Sequence, residues 1–191
     1  MMTNAELAIL SLVVEKSRHG YEIELVIEER EMRNWTEVGF SSIYYILNKL
    51  EKKSLVEGQL EEPVGKGPAR KVYHITAAGL EAYHKATLDA LSTPIPPYSA
   101  FLLGISNLQS IPAEEALSAL HQYRRKMSER AENLRSRWAA AEPRVPFNVN
   151  ALFDYSMTLV DAELSWVTDF IHQLEARKGK GNDQNRLQER I

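Results

Sequence analysis

The 191-residue sequence contains no cysteine. That absence excludes disulfides, thiolate metal sites and thiol nucleophiles, and it suits a reducing compartment. No stretch reaches the ~18 apolar residues that a membrane span needs. The apolar run Leu7 to Val14 lacks a basic lead-in and a small-residue cleavage site, so it reads as a helix and not as a leader. Paired metal-ligand spacing is missing too: His19, His74, His84, His121 and His172 are scattered. Asp169 and His172, three apart on a helical stretch, could hold a metal or orient a base, but Phe170 and Ile171 beside them mark that helix as one that packs. No glycine-rich loop leads into a helix; Gly65-Lys66-Gly67 lies between two strand patterns, with no helix start to bind an anion. No internal repeat is present. Catalysis therefore has little to work with, and neither a cofactor nor a metal is expected. A formal net charge of -3 argues against indiscriminate nucleic-acid binding, yet it leaves room for a local basic patch. The expectation is a cytoplasmic protein of one or two modest domains with no membrane partner.

What is present divides at prolines. Residues 93 to 98, Thr-Pro-Ile-Pro-Pro-Tyr, cannot sustain a helix, because proline lacks the N–H and restricts the residue before it. A mixed helix and strand pattern precedes this stretch, and a helical one follows. A second break at 142 to 147 separates two long helices. The polar, glycine-containing tail over 179–191 reads as disordered.

Thr3 and Glu6 stand in capping-box spacing ahead of the first helix. Its run to Val14 is interrupted only by Ser11, more apolar surface than a small domain usually covers, which points to a partner chain at Leu7, Leu10 and Val14. After a break at His19-Gly20, a second helix is expected over about 21–32. Ile23 and Ile27 face inward, and a run of glutamates forms a solvated outer face.

The third helix is the most informative. Ser41 is its expected N-cap, and Ile43, Ile46, Leu47 and Leu50 gather on one side at 100° per residue. Opposite them lie Ser41, Tyr45, Asn48 and Lys52, with Tyr44 and Lys49 on the flanks and Glu51 the one acid nearby. Hydroxyl, amide and ammonium groups suit phosphate oxygens and base edges, whereas an ordinary solvated face carries both charge signs. Next, 55–60 and 70–75 alternate like half-buried strands around a flexible tip that holds Lys66, with Arg70 and Lys71 at its return. Three helices and a basic-edged hairpin make a winged helix-turn-helix that reads double-stranded operator DNA, the third helix in the major groove and the hairpin on the backbone. Tyr45, Asn48 and Lys49 are the candidates for base edges. Ser41, Ser42, Tyr44, Lys52, Lys66, Arg70 and Lys71 complete the contact set. Thr76 caps a fourth helix with an inner stripe of Leu80, Tyr83, Thr87 or Leu88, and Leu91.

These residues also resemble a known family. His19-Gly20-Tyr21-Glu22-Ile23, Ser42-Ile43-Tyr44, Leu47-Asn48-Lys49-Leu50-Glu51, Leu55-Val56, Gly67-Pro68-Ala69-Arg70-Lys71-Val72-Tyr73 and Ile75-Thr76-Ala77-Ala78-Gly79 are similar, in order and spacing, to the PadR family of transcriptional regulators. The chain departs from that pattern at Ser42, often threonine; at Tyr45, usually proline; and at Ser54, usually glycine. The resemblance implies a homodimeric repressor that often answers to a small molecule. It also implies that Tyr44 and its helix work on DNA, with the basic wing on the backbone. Longer members add a C-terminal helical domain that builds the dimer, and this chain has the length for one.

The second half supports that reading from its own residues. A helix over about 112–141 opens with proline in its first turn and Glu114 and Glu115 at the positive dipole end. Leu120, Met127, Ala131, Leu134 and Trp138 keep a near-heptad spacing. The last helix, about 149–177, carries two apolar rows: Leu152, Tyr155, Leu159, Trp166 and Phe170, and Val160, Leu164, Val167, Ile171 and Leu174. One row can pack within the chain; the other needs a second surface, which a symmetric copy supplies. Leu120, Met127, Leu134, Leu159, Trp166 and Phe170 are accordingly the dimerisation candidates here. The basic stretch from Arg124 to Arg137 is interleaved with Glu129 and Glu132 and reads as a coiled-coil flank. Phe101, Trp138 and Trp166 are either core or the walls of a site for a small aromatic effector.

The expected fold is mainly α: a winged helix-turn-helix domain over 1–92, with a two-stranded wing and a linking fourth helix, a long-helix, coiled-coil-like dimerisation and effector domain over 98–178, and a disordered tail over 179–191. The rival to a DNA-binding regulator is a winged helix that binds protein, which the net acidity and the glutamates of the second helix would suit. Salt dependence separates the two. A dimer neutralising about four phosphates per subunit, through Lys49, Lys52, Lys66, Arg70 or Lys71, has a log–log salt slope near -7, and a protein-binding module has none.

Overall fold

The computed structural model describes the whole chain except residues 1, 37, 40–41, 63–68, 95, 97–98, 142–144 and 189–191; for residues 34, 141 and 178–188 it describes the backbone alone. The chain forms two compact units, Met1–Pro96 and Pro97–Ile191, divided within the proline stretch.

The first unit runs α1 (Asn4–Glu15), β1 (Arg18–His19), α2 (Gly20–Glu29), a 3-10 turn (Met32–Asn34), α3 (Ser42–Lys52), β2 (Val56–Glu61), β3 (Arg70–Ile75) and α4 (Ala77–Ser92). The strands form an antiparallel sheet in the order β1-β3-β2, with Val56 opposite Ile75 and Glu61 opposite Arg70. Strand β1 is an addition to the expected hairpin. Its two residues pair Arg18 with Tyr73 and His19 with Val72, too short a segment to show any alternation in sequence.

The capping box at the start of α1 is formed: the Glu6 N–H donates to Thr3 Oγ1 at 3.2 Å and the Thr3 N–H to Glu6 Oε2 at 2.8 Å. The other end of α1 is closed by Arg18, only 9% exposed, whose guanidinium donates to the carbonyls of Leu12 and Lys16 and to Glu15. Those last-turn carbonyls have no partner within a helix, so a buried arginine is well used there. His19 caps α2 with its ring, and a second capping box joins it to Glu22. Helix α2 stops at Glu29 rather than near Met32, because Glu31 takes a left-handed conformation at φ 47°.

The core of this unit gathers Ile9, Leu10, Leu12 and Val13 of α1, Ile23 and Ile27 of α2, Ile43, Ile46, Leu47 and Leu50 of α3, and Val56 and Tyr73 of the sheet. The expected inner faces of α2 and α3 are therefore the observed ones. Helix α1 is different from its sequence reading. It packs against α3, α4 and β3 of its own unit, so Leu10 is fully buried and unavailable to a partner, while Leu7 and Val14 stay half-buried. In α4, Tyr83 reaches the core but Leu88 and Leu91 are 66% and 82% exposed, since the core ends before the second half of that helix.

Two positions near this core bear on glycine, one as a close approach and one through its backbone conformation. The N–H of Gly79 donates to the Thr76 cap at 2.9 Å, and a β-carbon on Gly79 would lie 1.9 Å from the Leu55 carbonyl oxygen. Ser54, at the end of α3, adopts φ 56°, the left-handed region that favours glycine.

The second unit comprises α5 (Ala100–Ser106), a 3-10 turn (Leu108–Ser110), α6 (Ala113–Ala141) and α7 (Phe147–Gln188). Helices α6 and α7 pack antiparallel, with Leu120 in one cluster with Val167 and Ile171, and Met127 and Ala131 in another with Val160. The backbone of α7 continues to Gln188, past the disorder expected from 179. Gly179 and Gly181 each cost ~1 kcal/mol in a helix interior, but no proline follows Pro146, and propagation is cheap once a helix has formed. Residues 189–191 of the expected tail lie outside the described residues. Among the described residues no helix is long and apolar enough to cross a membrane.

Candidate nucleic-acid interface

Ile43, Ile46, Leu47 and Leu50 turn one side of α3 into the core, and helical geometry sets the other side outward. Tyr45 is 68% exposed, Asn48 and Lys52 are exposed, and positions 45, 48 and 52 share a face. Tyr44, on the flank, is 53% exposed, with its ring against Gly20 at the start of α2: a β-carbon on Gly20 would meet Tyr44 Cε1 at 2.4 Å. Ser42 is half-buried and its hydroxyl donates to the Gly39 carbonyl at 2.7 Å, so it shapes the entry to α3. Ser41 and Lys66 lie outside the described residues.

The remaining cations are less free than their sequence positions suggest. Lys49 Nζ is 3.1 Å from Glu6 Oε1, and Lys53, a residue outside the expected DNA-contact set, donates to the same oxygen at 2.8 Å. Glu6 is 1% exposed. Burial pushes its carboxyl up, but hydrogen bonds from Lys53, the Thr3 backbone and Lys49 outweigh that and hold it at about 2. Lys71 Nζ donates to Glu51 Oε2 at 2.7 Å, a bond that raises its own pKa, and lies 5.4 Å from the centre of the Tyr73 ring. Glu51 Oε1 also accepts the Gly58 N–H at 3.2 Å, so this one carboxylate ties α3 to both wing strands. Arg70 Nη1 stands 3.1 Å from His19 Nε2. Among the described residues Lys52 makes no ion pair.

The effector candidates in the second unit divide. Phe101 and Trp166 come together at 6.1 Å between ring centres, edge to face, with Tyr123 stacked on Phe101 at 4.1 Å and Phe170 stacked on Trp166 at 4.8 Å. Tyr123 donates its hydroxyl to Glu163; burial and that hydrogen bond push its phenol up to about 12. Trp138 belongs elsewhere, tilted against Phe153 at 5.4 Å. Phe153 lies 13 residues from Trp166 along α7, a separation of about 20 Å at helical rise, so the expected trio is not one site within the unit.

The dimerisation candidates divide similarly. Leu120 and Met127 are each 7% exposed, and Leu134 packs beside the Met127 cluster, so these serve the α6–α7 contact inside the chain. Of the two rows on α7, Val160, Leu164, Val167, Ile171 and Leu174 face α6. The other row leaves Tyr155, Leu159 and Trp166 at 64%, 51% and 46% exposure. The basic flank of α6 includes an ion pair between Arg135 and Asp161 at 2.5 Å and Arg137 over the Phe153 ring.

Comparison with known proteins places this geometry. Residues 9–85 match the family model described as the transcriptional regulator PadR-like family. An uncharacterised protein of Lysinibacillus sphaericus is 38% identical over 71 residues, 37% of this chain and 63% of that relative, so the match spans less than two thirds of the relative's length. Bacillus subtilis PadR in complex with operator DNA is similar in fold with a TM-score of 0.73 at 19% identity, covering 88% of this chain and 98% of that one. The same protein in complex with p-coumaric acid gives 0.71 at 20% identity, covering 89% and 98%. A PadR-like transcriptional regulator of Bacillus cereus gives 0.67 at 20% identity, covering 91% and 99%. At such identities the likeness is one of fold, a winged helix followed by long helices. Residues 9–85 are thus a domain of the transcriptional regulator PadR-like family, and the fold it takes here is a winged helix.

Proposed function

We propose that the chain is a homodimeric repressor of PadR type that sets two α3 helices in successive major grooves of a pseudo-palindromic operator and so blocks transcription sterically. The observation that carries this reading is the outward face of α3: Tyr45, Asn48 and Lys52 are exposed together, with no acid among them. Successive major grooves lie about 34 Å apart, a spacing that one domain does not span and a symmetric pair does. The uncovered row of Tyr155, Leu159 and Trp166 is the surface offered to the second copy, with Phe170 at its edge.

Tyr45 and Asn48 are assigned to base edges. Lys49 can join them only by leaving Glu6. Tyr44, Lys52, Lys66, Arg70 and Lys71 serve the backbone. A small aromatic effector is the proposed ligand, held near Phe101 and Trp166. The p-coumaric acid complex of the Bacillus subtilis relative supports that chemistry, as its operator complex supports the DNA.

The experiment is a salt titration of binding to fragments from upstream of the chain's own gene, against random DNA of equal length. Tight, steeply salt-dependent binding that prefers the upstream fragment is the expected result. Asn48→Ala then relaxes preference at one or two base pairs by ~1–3 kcal/mol. Salt-insensitive, negligible binding to every DNA tested, with and without phenolic acids, would sink the proposal in favour of a protein-binding winged helix.

A further inference from the structure

Among the described residues, Glu6 is the only buried carboxylate of the chain. It sits at the N-terminal end of α1, and one of its oxygens is taken by the Thr3 N–H at 2.8 Å. The other oxygen receives two ammonium groups from the far end of the recognition helix, Lys49 at 3.1 Å and Lys53 at 2.8 Å. Positions 49 and 53 are one helical turn apart on the same flank, so a single carboxylate meets both.

We infer that Glu6 is a positioning residue for DNA recognition: it docks α3 onto α1 and acts as an internal counter-ion that withholds Lys49 and Lys53 from phosphate. This rests on the DNA-binding reading above and specifies which of its cations do the binding. An unpaired carboxylate at this depth is strongly unfavourable. A lysine that left Glu6 for a phosphate would strand that charge, so Lys49 and Lys53 stay where they are when DNA arrives. They then release few counter-ions on binding, and the salt slope falls below what a tally of basic residues gives. Lys52, exposed and without an ion pair among the described residues, contributes in full. The arrangement suppresses adhesion to random DNA while leaving the neutral readers Tyr45 and Asn48 in place, in keeping with a chain whose net charge is -3.

The test uses the full chain, a random-sequence duplex and fluorescence anisotropy over about 50 to 200 mM salt. Lys49→Met is expected to leave the slope unchanged, whereas Lys52→Met lowers it by ~0.9 per subunit. Glu6→Gln, which retains an acceptor for the Thr3 N–H, is expected to steepen the slope by at least ~0.9 per subunit and to tighten random-DNA binding several-fold. Adding Lys49→Met to Glu6→Gln then takes back part of that increase. A Lys49→Met slope as reduced as that of Lys52→Met overturns the inference, and this comparison decides the matter even where Glu6→Gln fails to fold. Folded Glu6→Gln protein with weaker binding and an unchanged slope overturns it as well, leaving Glu6 a purely structural role. If the wild-type chain binds no DNA at all, the underlying reading fails. The anchor alone is then judged by carbon-13 NMR: a Glu6 carboxyl that titrates near 2 and moves up in Lys49→Met and Lys53→Met retains the anchor, and one in the ordinary glutamate range removes it.

Discussion

The ring of Tyr44 occupies the space that a side chain at Gly20 would need. This contact joins the first residue of α2 to the first turn of the recognition helix. Gly20 is thus a matter of close approach, because its place at the start of α2 is open to any residue conformationally.

Gly20→Ala is expected to displace the Tyr44 ring rather than to unfold the domain. The clash is with the far end of a rotatable side chain that is already half in solvent, so the stability change stays below about 1 kcal/mol. DNA affinity falls as far as it does in Tyr44→Ala. Melting curves and anisotropy on the same preparations check both halves, and a loss of melting temperature without loss of affinity contradicts the role of this contact.

Ser54→Gly is expected to stabilise the chain. Ser54 is exposed and holds φ 56°, where an L side chain costs roughly 1–2 kcal/mol and the extra flexibility of unfolded glycine returns part of that. A net gain of roughly 0.5–1 kcal/mol in urea denaturation is the expected outcome. The carbonyl of residue 54, which accepts from Thr76 Oγ1 at 2.8 Å, is backbone and survives the change.

Leu159→Glu is expected to give a folded monomer. Leu159 is 51% exposed on the row of α7 that α6 leaves uncovered, so the new charge meets water in the single chain and apolar surface in the proposed dimer. Val167→Glu is the contrast. Val167 has no exposure, and a charge there disrupts the α6–α7 contact itself. Sedimentation and circular dichroism together separate the two outcomes.

Acid should weaken the N-terminal unit through Glu6. Its carboxyl lies near 2 when folded and near 4.5 otherwise, so the unfolded chain takes up the proton first as the pH falls. The stabilisation is complete above 4.5 and is lost progressively between 4.5 and 2, about 3 kcal/mol in all. Glu15, held below its ordinary value chiefly by Arg30, titrates in the same direction. The part due to Glu6 is therefore the difference between wild type and Glu6→Gln, which should shrink on acidification in urea melts at neutral pH and near pH 3.

Much of this protein was legible in its sequence because the information was local. Period-3.6 patterning assigned the inner faces of α2 and α3, capping spacing located the start of α1, alternation found both wing strands, and a proline stretch marked the division into units. The same patterning separated the two rows of α7. It did not say which row would meet α6, and the packing of Val167 and Ile171 settled that. Nor did it say that Leu10 would be covered by its own domain, because an apolar run records only that cover is needed. The pairing of Lys49 and Lys53 with Glu6, of Lys71 with Glu51, and the distance between Trp138 and Trp166 were decided by tertiary structure alone. Partners 20 to 47 residues apart leave no mark in a local pattern, and a charge counted along a sequence becomes a charge available to DNA only when folding leaves it unpaired.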